Sequence, residues 1–217
     1  RPQRAVLGGR GRERAAAVPQ DFEQLVVAGS GTNAHYCGLD AEQQLWCWGE
    51  NGQGQVGDGT TEDREQPTRI NLAGVEQVVV GSLFSCALVS GGQVFCWGWW
   101  QGSNTPGDLT RPRMVDGVEG VTKLWASAGA GWLAARLGDG SLAIAQGNHS
   151  PWGLRTVDGI QGVQSFDFSV NSYCALDATR QLWCWGHGDY GALGFGTPFR
   201  RQPHRVADIP PAQSVAL

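Results

Sequence analysis

The sequence predicts an all-β chain assembled from four copies of one small antiparallel sheet, and three observations predict it. A phrase running from Cys37 to Gly49 (Cys-Gly-Leu-Asp-Ala-Glu-Gln-Gln-Leu-Trp-Cys-Trp-Gly) returns from Cys86 to Gly98 and from Cys174 to Gly186. A fainter copy, Ala135 to Gly147, carries alanine at both cysteine positions. Taking Gly49, Gly98, Gly147 and Gly186 as equivalent points gives spacings of 49, 49 and 39 residues. That is the size of one four-stranded blade in a stack of repeats.

Alternation along the strands turns the repeat into an architecture. On Leu45-Trp46-Cys47-Trp48, Leu45 and Cys47 point to one face and Trp46 and Trp48 to the other, and both sets are apolar. The same holds for Leu182-Trp183-Cys184-Trp185. A sheet apolar on both faces needs a layer on each side, which a blade obtains from its two neighbours. The expectation is therefore a β-propeller, or an arc of one, with four full blades. Trp46, Trp48, Trp97, Trp183 and Trp185 are read as packing between blades.

Each unit opens with an apolar run: Leu25–Ala28, Val78–Val80, Val121–Trp125 and Val163–Phe168. A turn rich in Ser, Gly and Asn follows, then the cysteine hairpin, a glycine-rich loop and a proline-containing exit such as Gln66–Ile70, Arg111–Val115 or Gln202–Val206. Cys37 and Cys47 lie five residues either side of a turn centred near Glu42, as Cys86 and Cys96 flank Gly91 and Cys174 and Cys184 flank Thr179. Residues so placed face each other across an antiparallel hairpin, within the span of a disulfide. Partners in a bond are also expected to be lost together, as in repeat three. Three bonds inside blades are the preferred reading, and buried free thiols are the alternative. Zinc wants closely clustered Cys/His pairs, which the chain lacks.

Residues 1–23, with five arginines and no strand period, read as a flexible basic arm holding a remnant of a preceding repeat. Residues 24–213 form the four-repeat domain, and residues 214–217 start a further strand. Arg1–Gly8 resembles a blade's exit phrase and Ser214–Leu217 an opening run. Closure is therefore expected to need more than four repeats, as a segment of a longer propeller or through self-association by the chain ends. A compact monomer with one composite blade is the alternative.

The segments Ala34–Leu39, Leu45–Thr60 (Leu-Trp-Cys-Trp-Gly-Glu-Asn-Gly-Gln-Gly-Gln-Val-Gly-Asp-Gly-Thr) and Ser85–Leu88 resemble the repeats of the regulator-of-chromosome-condensation propeller family over about residues 24–210. The likeness is strongest to its cysteine-containing secreted bacterial members. Repeat three departs from it, with Gln146-Gly147 in place of the Trp-Gly step. The resemblance implies an adaptor, exchange-factor or inhibitor scaffold. Nucleotide exchange on a small GTPase fits poorly with a disulfide-bearing chain.

The formal charge of −4 argues against a general nucleic-acid binder, and no run of about 18 apolar residues could span a membrane. Three bonds imply an oxidising location: secreted, periplasmic or at the cell surface. The motifs of common hydrolases, metalloproteases and nucleotide-binding loops are absent, so no catalytic residue, metal or cofactor is expected. His35 reads as a hydrogen-bonding core residue and Gly57–Asp63 as a turn rather than a calcium loop. Asn148-His149-Ser150 has the glycosylation spelling, whose meaning depends on the host.

The copies differ most in the loop after each Trp-Gly step. There the chain places Trp99, Trp100, Trp152, Asp189, Tyr190, Phe195 and Phe199. Aromatic groups in Gly/Pro-rich loops are typical interface anchors. The expected function is a noncatalytic protein-binding or scaffolding module, with a glycan ligand or a structural role in an extracellular assembly as alternatives. Peptide mapping under nonreducing conditions is expected to return Cys37–Cys47, Cys86–Cys96 and Cys174–Cys184. Each bond should add roughly 2–4 kcal/mol; links between blades, or free thiols in natively secreted material, contradict the scheme.

Overall fold

Two apolar faces per hairpin dictate the architecture seen in the computed structural model, which describes residues 18–19, 21–29, 34–99, 109–116, 119–127, 132–145, 154–169, 172–188, 193, 199–207 and 214. Among these residues the chain makes four antiparallel sheets of four strands, each a simple meander. Blade 1 holds β1 (Gln24–Ala28), β2 (His35–Leu39), β3 (Leu45–Gly49) and β4 (Arg64–Ile70). Blade 2 holds β5 (Val75–Val80), β6 (Phe84–Val89), β7 (Gln93–Gly98) and β8 (Arg113–Met114). Blade 3 comprises β9 (Val121–Ala126), β10 (Leu133–Leu137), β11 (Leu142–Ala145) and β12 (Arg155–Thr156). Blade 4 comprises β13 (Ser165–Phe168), β14 (Ser172–Leu176), β15 (Leu182–His187) and β16 (Phe199–Arg205). The first strands of all four blades line an axial cleft of about 450 Å³. Pro67 and Pro203 fall in the last strands, β4 and β16, where a missing backbone donor is tolerated.

The cysteine face of each blade packs on the tryptophan face of the next. Cys37, Leu39, Leu45 and Cys47 of blade 1 share a core with Val78, Val80, Ala87 and Trp97 of blade 2. Cys86, Leu88 and Cys96 meet Leu124, Leu133 and Ala135 of blade 3. Ala134 and Ile144 of blade 3 meet Phe166, Tyr173 and Trp185 of blade 4. Trp97 and Trp185 are buried in joints between blades, as expected; Trp46 is buried too, but its indole is tied within blade 1 to Asp40, and Trp183 is partly buried against the blade 3–4 core. Trp48 stacks on Tyr36 at 5.4 Å and on Phe22 at 5.5 Å. Phe22 thus packs on blade 1 although its sequence neighbours read as an arm.

All three cysteine pairs are bonded within their hairpins, with Cα separations of 4.1, 4.1 and 4.2 Å. Such close approach fits the narrow, non-hydrogen-bonded kind of cross-strand pair. Repeat three corrects the sequence alignment by one position. Ala134 faces Ile144, whereas Ala135 faces Ala143 and Ala145 faces Leu133. Ala134 and Ile144, not Ala135 and Ala145, therefore occupy the cysteine positions. The hairpin turn sets this register. Leu137 N donates to Ser141 O and Gly140 N to Leu137 O, as Asp40 and Gln43 bond in blade 1 and Asp177 and Arg180 in blade 4. The turn's left-handed position is thereby Gly140 (φ 84°), matching Gln43 (58°), Gly92 (76°) and Arg180 (62°).

Two polar devices fix the blades. The first is a tie within a hairpin: Trp46 Nε1 donates to Asp40 Oδ2 at 2.8 Å while Asp40 Oδ1 takes the Glu42 and Gln44 amides. Blade 4 repeats it, with Trp183 Nε1 2.9 Å from Asp177 Oδ2. Burial pulls the Asp177 carboxyl upward, but the Thr179, Trp183 and Gln181 donors outweigh it and hold it below the usual carboxylate range. In blade 2 the same two places are Val89 and Phe95, and in blade 3 Leu137 and Ala143, so both partners change together.

The second device clamps neighbouring blades. Val78 N donates to Gln24 Oε1 at 3.1 Å and Gln24 Nε2 donates to Val78 O at 2.9 Å. Gln77 makes the same pair of bonds, both 2.9 Å, to the backbone of Leu124. A side-chain amide here stands in for one residue of a paired strand. At the blade 3–4 joint the equivalent residue is Lys123, which cannot accept, and its Nζ lies 5.2 Å from the Trp125 ring centroid.

Leu25 and Val27 are 57% and 53% exposed, although their counterparts Val78, Val80, Leu124, Phe166 and Phe168 are buried against a preceding blade. Gln77→Leu should lower stability by about 1–3 kcal/mol, because it strips two partners from a packed joint. Lys123→Gln should supply the missing clamp and raise the melting temperature. Urea unfolding of both variants beside the parent checks the pair. Trp185→Ala, which empties the blade 3–4 joint, is expected to cost about 3–5 kcal/mol in the same assay.

Candidate functional site

The Trp-Gly step delivers the chain from the third strand to the loop end of blades 1, 2 and 4. Gly49, Gly98 and Gly186 have φ of 103°, 92° and 100°, in the left-handed region that suits glycine. In blades 1 and 4 the ladder to the fourth strand shifts register beside this glycine.

At the blade 1–2 joint the loop that follows folds back as a plug. Asn51 is fully buried: its Nδ2 donates to Thr60 O and Glu62 O at 3.1 and 2.9 Å, and its Oδ1 accepts from Val56 N at 2.9 Å. Asp58 accepts from the Thr60 amide and hydroxyl and from Arg64 at 2.5 Å. Burial pulls the Asp58 carboxyl upward, yet Thr60 and Arg64 prevail and hold it below the usual range. Its oxygens are thus committed to a turn, in line with the sequence reading. Thus braced, the loop presses Gly57 against Trp97, where a Cβ would stand 2.5 Å from the indole nitrogen.

The Gln55 carbonyl is the hub beneath this plug, accepting from Trp97 Nε1 and from Ser85 Oγ, both at 2.8 Å. Because the Ser85 hydroxyl gives its proton to Gln55, its lone pairs face His35 Nε2 at 3.1 Å. His35 is the buried hydrogen-bonding residue that the sequence indicated. Burial pushes its imidazole down to about 4, with the Phe84 backbone opposing the shift.

A groove of about 450 Å³ opens at the corresponding place between blades 3 and 4, among the described residues Trp132, Tyr173, Trp185, His187, Phe199 and Arg200. Trp132 and Tyr173 have centroids 5.5 Å apart, and Tyr173 stacks on Trp185 at the same distance. Burial raises the Tyr173 phenol well above its ordinary value, so the wall is neutral. At the rim the Phe199 and His187 rings meet edge to face at 5.0 Å. Arg200 Nε is buried without a hydrogen-bond partner among the described residues. A buried donor left unsatisfied costs about 1–3 kcal/mol, so this one is poised for an acceptor.

Of the site residues read from sequence, Phe199 forms this rim and is 46% exposed. Trp99 sits at the loop end of blade 2, partly buried, with its amide donating to Leu83 O at 2.8 Å. Trp100, Trp152, Asp189, Tyr190 and Phe195 lie outside the described residues, as does Asn148. Sequence reasoning passed over Trp132, Tyr173, His187 and Arg200. The available signal was β16 itself, where Arg200, Arg201, His204 and Arg205 stand without an acidic residue in a chain of net charge −4.

Comparison with known proteins agrees with the blade architecture. Two descriptions of the regulator of chromosome condensation (RCC1) repeat match this chain, one over residues 42–88 and the other over residues 26–55 and 75–104. The E3 ubiquitin-protein ligase HERC2 of Mus musculus is 26% identical over 93% of this chain, which spans only 5% of that protein. Human WBSCR16 superposes with a TM-score of 0.70 and 23% identity, covering 91% of this chain and 57% of its own. Prp20p of Saccharomyces cerevisiae, a structure described together with its binding to Gsp1p and histones, gives 0.66 and 19% over 88% of this chain and 52% of its own. The matched repeat descriptions fall within residues 26–104, and the four sheets share the blade fold of these solved relatives, of which this chain spans about half.

Holding His35 neutral has a signed consequence. Between about pH 6.5 and 4 the unfolded chain takes up a proton that the buried ring refuses. Stability should therefore be full above that window and fall as pH drops through it, by at most about 3 kcal/mol. Denaturant titrations at stepped pH check this, and His35→Gln should flatten that part of the profile.

Proposed function

We propose that this chain is a noncatalytic, protein-binding or scaffolding propeller that grips a partner protein through the loop end of its blades. The observation that carries the reading is the pairing of a rigid frame with aromatic groups at one end. Trp99 and Phe199 both follow third strands, at the same end of blades 2 and 4, and Phe199 borders an open aromatic groove. Prp20p, of the same fold, binds proteins. The buried polar groups of the blade 1–2 joint are engaged in holding blades together, which leaves the loop end for recognition.

The three bonded cysteine pairs support a secreted, periplasmic or surface location and the likeness to cysteine-containing secreted bacterial propellers. Among the described residues no helix is long and apolar enough to cross a membrane. Exposed Leu25 and Val27 favour a second contact, in which another blade-like surface covers β1. Light scattering addresses that contact: self-association weakened by Leu25→Ser supports it, and a stable monomer removes it.

A pull-down from the native secretome tests the main reading. Wild-type protein should retain a discrete partner, and the Trp99→Ala/Trp100→Ala double variant should lose it while its melting temperature stays nearly unchanged. Retention of glycans on an array, with no protein captured, would replace the reading with carbohydrate recognition.

A further inference from the structure

We propose that the groove between blades 3 and 4 is a docking site for an acidic, extended segment of a partner protein. In it the Arg200 guanidinium takes a carboxylate, and the rings of Trp132 and Phe199 take the apolar side chain beside that carboxylate. The inference rests on the protein-binding reading and supplies the partner's chemistry.

Comparing the two joints motivates it. In the blade 1–2 joint the chain fills the space itself, placing Gln55, Val56 and Gly57 over Trp97. The blade 3–4 joint has the equivalent indole, Trp185, beneath an open groove. Fourteen residues separate β3, ending at Gly49, from β4, beginning at Arg64; nine separate β11, ending at Ala145, from β12, beginning at Arg155. The shorter connection, residues 146–154, contains no Gln-Val-Gly phrase to serve as a plug.

Charge then selects the occupant. Arg200 Nε is enclosed and lacks an acceptor among the described residues. Arg201 is exposed one position along, and β16 carries no acidic residue although the whole chain is net negative. A guanidinium seeks a planar carboxylate, to which it can present parallel donors. The neighbouring Trp132 ring, backed by the buried Tyr173 and Trp185, and the exposed Phe199 ring at the rim offer aromatic surface that a bare anion would leave unused. An Asp or Glu next to Phe or Leu, in a chain thin enough to lie between two blades, satisfies both.

The test is fluorescence anisotropy on the full chain with labelled peptides of the type Gly-Ser-Asp-Phe-Glu-Leu-Asp-Ser-Gly. One arm carries a free C-terminus and one an amidated one. A second set replaces the acids by Asn and Gln, and a third replaces Phe and Leu by Ser. Heparin oligosaccharide and duplex DNA serve as polyanion controls. The acidic apolar peptide should bind irrespective of its C-terminus, weaken with salt, and lose at least about tenfold on amide replacement or in Arg200→Gln, as when one partner of a buried charge pair is removed. Arg200→Lys should retain part of the affinity, and Phe199→Ala should act chiefly on the apolar arm. The Arg200→Gln melting temperature should stay level or rise, because an unsatisfied donor is removed; a clear fall would make Arg200 structural and overturn the proposal. Equal binding of the amide peptides, tighter binding of heparin or DNA, or no effect of Arg200→Gln would overturn it as well. If no peptide binds while the secretome partner is retained and lost with Trp99 and Trp100, the groove inference falls and the protein-binding reading stands; peptide binding without any secretome partner would do the reverse.

Discussion

Every blade of this protein is apolar on both faces, and that single constraint organises the rest of the structure. A lone four-stranded sheet of this composition would leave its cysteine face or its tryptophan face in water. Only a neighbour on each side covers both. The joints between blades, more than any one sheet, are therefore where folding free energy is gained, and the chain invests its buried polar groups there. Gln24 and Gln77 clamp successive first strands, and the Gln55 carbonyl collects Ser85 and Trp97 across the first joint.

The joints are not equivalent, and their differences divide framework from function. The first is closed by a loop whose own side chains lock it shut, through Asn51, Asp58 and Arg64. The third has Lys123 where a clamp would sit and an aromatic groove where a plug would sit. A repeat protein can afford one incomplete joint when its neighbours are tight, and an incomplete joint is a natural place for another molecule to complete the packing.

Much of the fold was legible because it rests on periodic features. The cysteine pairs, the apolar opening runs and the proline exits recur at fixed offsets, and two-faced alternation at Leu45–Trp48 is enough to demand a stack. Repeat three was misaligned by one residue because Gly138 and Gly140 both fit a turn and Gly147 imitates the Trp-Gly glycine; only the hydrogen-bonded turn decides that Gly140 takes the left-handed position. Gln24 and Gln77 read as ordinary polar residues at strand starts, since nothing local says that their amides meet another blade. The Asp40–Trp46 tie had a readable signal in the joint replacement at Val89 and Phe95, visible only when the repeats are aligned position by position. The groove was least legible, because Trp132, Tyr173 and Arg200 are brought together from two blades, and Phe199 alone carried a local sign.

The disulfides have a consequence for how this protein responds to pulling. Each one joins neighbouring strands of a single hairpin and none joins two blades. A force applied along the chain can therefore part the blades with every covalent bond intact. Within a bonded blade, however, the nine residues between the cysteines are shielded from tension, which shortens the releasable length by about 30 Å at full extension. Blade 3, which has Ala134 and Ile144 in place of cysteines, has no such stop and would pay out its whole contour. Under load the arc behaves as a row of stiff links with one extensible element, and that element lies beside the open groove.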